Sequence, residues 1–232
     1  FYGNKGLNND IVKRPNVRIK LDGEDAFLTE KELIYRLRNE RLLYSDQRYS
    51  ELRIEKIENF IRSMPEVRNV QVFKTIKNNW SIVLELIRPI ARIYNKKGET
   101  FYLDSDGNKM KRSNIHTARV LIFSGEIDDC FHDESVSTII NNDSLKSIRD
   151  LDEIYYISNY VCEDPLLRSL IGQVYLDNND EFIMTPVLGD QKIVFGKVDS
   201  KHQIRDRFQR LKVFYKQAIP FEGWNKYSEI SL

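Results

Sequence analysis

Trp80, Ile82, Leu84 and Leu86 alternate with Ser81, Val83, Glu85 and Ile87, the period of a strand with one face in a core. Val70 and Val72 begin a strand before it, and Asn78-Asn79 make the turn between the two. Upstream, Val17, Ile19 and Leu21 alternate as a short strand stopped by Asp22-Gly23. Thr29, with Glu32 three positions on, is a capping-box start for a helix whose stripe is Leu33, Ile34 and Leu37. A second helix carries Ile54, Ile57, Phe60, Ile61 and Met64 at three- and four-residue spacings, and Pro65 ends it. The resulting β-α-α-β-β order closes near Pro89 and can stack two helices on one face of a three-stranded sheet. Residues 1–16, rich in Gly and Asn and ending in Lys13-Arg14-Pro15, read as a linker.

Past Pro89 the pattern changes to short strands with flanking helices. Ile90–Tyr94 and Thr100–Leu103 are strands around the turn Asn95-Lys96-Lys97-Gly98, and Ala118–Phe123 is another, stopped by Gly125. One long helix is expected from Ser144 to Val161, with Leu145, Ile148, Leu151, Ile154 and Ile157 inward. Three strands follow, Gln173–Leu176, Phe182–Val187 and Lys192–Phe195, joined by Asn178-Asn179-Asp180 and Gly189-Asp190. A further helix carries Ile204, Phe208, Leu211, Tyr215 and Ala218, and Tyr227–Leu232 closes the chain as a strand. The fold class is α+β, with domains at residues 17–89 and 90–232 that abut without a Gly/Ser linker.

The chain has 232 residues, enough for two modest cores. Its 36 Lys and Arg nearly balance 35 Asp and Glu, so no basic excess points to nucleic acid or a membrane surface. No apolar run approaches the ~20 residues that span a bilayer. The chain starts at Phe1, which implies that a natural N-terminus with any anchor has been removed. Cys130 and Cys162 lack the spacing of a zinc site or redox pair; buried free thiols are the default, and pairing in an oxidising compartment is the alternative.

Chemistry is sparse. Asp104-Ser105-Asp106-Gly107 has calcium-loop residue types without EF-hand spacing and reads as an Asp-Gly turn. Asp128, Asp129, Cys130, His132, Asp133 and Glu134 have metal-ligand types without regular spacing and read as a solvated loop. His116 and His202 stand alone. Of Tyr155-Tyr156, on adjacent faces of a helix, one is expected outward. No nucleophile elbow, phosphate loop or catalytic triad frame is present, so no catalytic, cofactor or metal residue is assigned.

The order of these features resembles the FtsQ/DivIB family of bacterial division proteins. The residues that carry it are Met64-Pro65-Glu66-Val67, Arg88-Pro89-Ile90-Ala91, Tyr102-Leu103-Asp104 with Asp106-Gly107, Val194-Phe195-Gly196-Lys197 before a helix, Leu211–Tyr215 within it, and Tyr227–Leu232 at the end. Phe27-Leu28, Ala91-Arg92 and Lys109-Met110 look most like versions from Bacteroidetes-type bacteria. Ile87 stands where many members carry Arg or Glu. The resemblance implies a POTRA domain followed by a β domain on the periplasmic side of the inner membrane, behind a single-pass anchor. It implies a non-enzymatic scaffold, without cofactors, that holds FtsB and FtsL and couples early and late division proteins to septal peptidoglycan synthesis. In the family one more strand follows the position of Leu232 and recruits partners. The final strand is thus expected to be truncated, with Tyr227, Ser228, Glu229, Ile230, Ser231 and Leu232 as the partner-binding edge. Two other readings stand beside it. One is a POTRA-bearing assembly or chaperone factor for outer-membrane or secreted proteins, which would usually carry tandem POTRA units. The other is a peptidoglycan-modifying enzyme, which would need a cleft of convergent acid and base groups.

Overall fold

The computed structural model describes residues 10–20, 28–111, 119–223 and 226–232. Leu21, Asp22-Gly23, Phe27, His116 and Ala118 lie outside them. By contacts the chain divides into two units, one running to Arg88 and one starting at Pro89.

In the first unit, β1 (Asn16–Lys20), α1 (Glu30–Asn39), α2 (Ile54–Arg62), β2 (Val67–Lys74) and β3 (Trp80–Leu86) follow the β-α-α-β-β order. β3 is central, parallel to β1 and antiparallel to β2. Its alternation becomes burial: Trp80, Ile82, Leu84 and Leu86 join Leu33, Leu37, Ile57 and Ile61 in one core. Thr29 caps α1 by accepting the Glu32 N–H. The β2–β3 turn sits one residue earlier than expected, because Lys77 and Asn78 take φ of 58° and 55°, the hand that matches strand twist.

Residues 10–15 are bonded along this unit rather than running free as a linker. Val12 N–H donates to Gln47 O at 2.8 Å, and the buried Trp80 indole N–H donates to Lys13 O at 2.7 Å. A buried tryptophan must find an acceptor, and that need holds the segment down. Glu66, 1% exposed, is paired with Arg36, which also bonds Glu32 at 3.0 Å. The pair ties α1 to the start of β2, since a buried carboxylate without its cation would be costly.

The second unit is a mixed eight-stranded sheet. Its strands are β4 (Pro89–Tyr94), β5 (Thr100–Asp104), β6 (Lys109–Lys111), β7 (Leu121–Gly125), β8 (Ile171–Leu176), β9 (Phe182–Pro186), β10 (Lys192–Gly196) and β11 (Glu229–Ser231). They lie in the order β11-β10-β9-β8-β7-β4-β5-β6. β6 had not been expected. Three turns use one device: the side-chain oxygen of Asn95, Asp104 or Asp177 accepts the N–H groups two and four residues on, and Gly98, Gly107 or Asp180 supplies the positive φ. Asp104-Ser105-Asp106-Gly107 is thus a turn, as expected. Gly125 ends β7 where a Cβ would lie 2.1 Å from Leu176 O, so only glycine fits that approach.

The helices differ from expectation. The run from Ser144 to Val161 is not one helix: after a short α3 (Val136–Ile140), α4 (Asp143–Lys146) stops and α5 (Leu151–Glu163) starts afresh. Ile148 falls in the break and is 63% exposed instead of inward. The break is held by Asp129, whose Oδ2 accepts the Asp150 N–H at 2.9 Å, and by Arg149, which reaches Asp133 and Glu134 at 3.1 and 3.0 Å. A further helix, α6 (Pro165–Leu170), had no counterpart in the sequence reading; Asp164 caps it and Pro165 opens it. α7 (Lys201–Val213) runs through a π-helical stretch, Phe214–Ala218, into α8 (Ile219–Glu222). The wider turn moves the stripe, so Ile219 rather than Ala218 is buried beyond Tyr215. Neither Tyr155 nor Tyr156 is fully outward: Tyr155 donates to Ser105 O at 3.1 Å, and Lys201 lies over the Tyr156 ring.

Ile57 is fully buried on α2, so Ile57→Asp places an unpaired carboxylate in the smaller core and costs several kcal/mol. The variant is expected to lose the dispersed indole N–H resonance of Trp80. Retention of that resonance with a parent-like melting curve would show that the stripe is misassigned.

Candidate partner-binding strand edge

β11 is the outermost strand of its sheet and pairs in parallel with β10 through Lys192↔Glu229, Ile193↔Ile230 and Val194↔Ser231. Lys192 N–H donates to Ser228 O at 2.9 Å, and Leu232 N–H donates to Val194 O at 3.1 Å. Backbone groups of a strand alternate in direction. Ser228, Ile230 and Leu232 therefore face β10, and the N–H and C=O of Glu229 and Ser231 face away from it. Among the described residues nothing pairs with that side. Ile230 is buried and Leu232 packs on the core, while Ser228, Glu229 and Ser231 are exposed. Tyr227 is half-buried and sets its ring against Phe214 at 5.4 Å, so the π-helical turn supports the entry to β11. The same helical run exposes Val213 and Phe221.

The β2 edge of the first sheet is guarded by side chains. On β2 the Val72 N–H donates to Glu58 Oε2 and the Val70 N–H to Asn69 Oδ1, both at 2.9 Å. Side chains thus occupy donors that an added strand would need. These guards are not legible in the sequence, because Glu58 lies on the preceding helix and its reach to β2 exists only in three dimensions.

The acidic loop is not simply solvated. Asp129 is fully buried, and Lys109 donates to Cys130 O at 2.7 Å, with burial lowering the lysine pKa. Cys130 and Cys162 are not in a disulfide, and each is half-buried rather than buried. His202 pairs with Asp206 at 2.8 Å on the surface of α7. Among the described residues no three His, Cys, Asp or Glu side chains are grouped to hold a metal ion.

Two carboxyls raised well above their ordinary range flank the start of α5. Burial, then the charges of Asp152, Asp150, Asp199 and Asp180, push Glu153 up to about 8. Burial and Asp129 push Asp150 up to about 7. Neither lines a 430 Å³ groove in the first unit or the 290 and 580 Å³ pockets in the second. The folded chain therefore holds protons here that the unfolded chain has released by about pH 5. Their contribution is fully present below the unfolded values and is lost as pH rises towards 7 and 8. Glu153→Gln should raise the melting temperature at pH 8.5 and lose that advantage at pH 4. An unchanged pH profile would contradict the protonated state of this half-buried carboxyl.

Comparison with known families agrees with this architecture. Residues 88–232 match the family model described as FtsQ/DivIB, C-terminal related, and residues 11–85 match that of the POTRA-like domain. No curated protein matches the chain. Among the described residues no helix is long and apolar enough to cross a membrane. With the first match covering more than half of its length, the chain belongs to the FtsQ/DivIB family of cell-division proteins, a POTRA-like unit followed by the family's mixed-sheet domain.

Proposed function

We propose that this protein is a non-enzymatic scaffold of the division complex that captures FtsB- and FtsL-like bitopic proteins by strand addition at β11. Through them it couples early and late division proteins to septal peptidoglycan synthesis. In this reading the native protein is anchored in the inner membrane by a single span, with the present region on the periplasmic side. The observation that carries the proposal is the outward backbone of Glu229 and Ser231, which no described residue pairs, on a strand bonded to β10 along its other side. The assembly-factor reading has less support, since one three-stranded sheet matches POTRA-like and the remainder matches FtsQ/DivIB.

The edge geometry makes proline a selective probe. Ser231→Pro deletes an N–H that β10 does not use, so the fold should survive while the outer ladder is broken. Against a soluble fragment of the FtsB/FtsL-like partners, Ser231→Pro and Glu229→Pro should each bind at least about tenfold more weakly, a loss of about 1.4 kcal/mol. Ser231→Ala and Glu229→Ala should stay within about threefold of the parent, because affinity in strand addition comes from the main chain. Ile230→Pro, which strikes the β10 side, serves as the comparator that loosens the strand itself. Proline variants that bind like their alanine counterparts would refute docking at β11 and redirect attention to the β1 edge.

A further inference from the structure

The first unit holds a groove of about 430 Å³ between residues 12–15, the outer face of α1 and the loop 43–47. Its floor is apolar, made by Trp80, Leu43 and Ile34, and its rim carries the exposed rings of Tyr35 and Tyr44. Four cations line it, Lys13, Arg14, Lys31 and Arg38, against one carboxylate, Asp46. Arg14 is engaged with Glu30 at 2.7 Å. Lys13, Lys31 and Arg38 have no side-chain partner among the described residues. Lys31, Tyr35 and Arg38 repeat at four and three residues, so α1 presents them as one stripe. In a chain of almost balanced charge, this is a local excess of cations that no described residue neutralises, around an apolar trough.

We propose that this groove docks an extended, acidic polypeptide segment carrying an aromatic side chain. The aromatic would lie over Trp80 and Leu43 between Tyr35 and Tyr44, and flanking carboxylates would pair with Lys13, Lys31 and Arg38. The buried Gln47 at the groove wall leaves its Oε1 without a partner, an acceptor that a backbone N–H can satisfy once the amide rotates. An anionic lipid surface would use the same cations, but it is flat and offers neither an aromatic plug nor an array of amide donors. The groove lies on the POTRA-like unit, and the site is separate from β11, so it stands or falls independently of docking there.

The probe is a fluorescein-labelled peptide, Glu-Asp-Glu-Phe-Asp-Glu, blocked at both ends and titrated against the whole chain by fluorescence anisotropy. Trp80 indole and Lys31 to Arg38 amide shifts report where it binds. Saturable binding that weakens with salt and perturbs those resonances is expected. Replacing its Phe by Ala, or its acids by Gln and Asn, should weaken binding at least about tenfold, as should Lys31→Glu with Arg38→Glu. Both substitutions are on the exposed face of α1, and an unchanged melting curve confirms the fold. A peptide with Lys in place of its acids should then prefer the double variant. Absence of binding, binding indifferent to the double variant, or response only to phosphatidylglycerol vesicles would overturn the proposal.

Discussion

The parallel pairing of β11 with β10 is the interaction on which the functional account rests. It aligns three residues of a short strand so that one row of backbone groups is consumed and the opposite row is presented. Ile230 in the core and Tyr227 against Phe214 hold that row in place from the side-chain direction. A strand fixed in this way has already lost most of its backbone freedom. An incoming segment therefore orders only itself on pairing.

The sheet beneath β11 is itself made robust by local devices. Asn95, Asp104 and Asp177 each close a hairpin with two hydrogen bonds from one side chain, and Gly125 permits the close approach of β7 to β8. Asp129 and Arg149 turn the chain between α4 and α5, which lets α5 lie along the core with Ile154 and Ile157 inward. In the first unit the Glu66–Arg36 pair and the Trp80 hydrogen bond perform the same task of fixing segments that hydrophobic burial alone would leave loose. On β2, Glu58 and Asn69 close an edge with side chains. The chain thus treats its strand edges differently, blunting β2 and presenting β11.

Much of this was legible because period translates directly into burial. The β3 alternation and the stripes of α1 and α2 appear where their spacing puts them, and the β2–β3 turn lies within one residue of its place. What escaped was set by tertiary partners. Ile148 fits the helical stripe, yet Asp129 captures the backbone at Asp150 and breaks the helix before the stripe can include it. Ala218 fits as well, until a π-helical turn hands its place to Ile219. Residues 10–15 have linker composition, but an indole N–H 67 positions beyond Lys13 needs its carbonyl oxygen. A closing strand at Tyr227–Leu232 was expected, but which of its backbone groups face away from β10 is set by the pairing itself. The basic groove was not legible, because its cations come from two separated segments, Lys13-Arg14 and α1, although Lys31, Tyr35 and Arg38 alone mark a face of α1.

The most direct measurement of the central claim is residue-resolved amide hydrogen exchange at β11, in the free chain and with an FtsB/FtsL-like fragment bound. In the free chain the Glu229 and Ser231 amides should exchange rapidly while that of Leu232, bonded to Val194 O, is protected. On binding, Glu229 and Ser231 should become protected as a new strand pairs with them. Protection of both amides in the free chain, or rapid exchange that the bound fragment does not slow, would contradict the account.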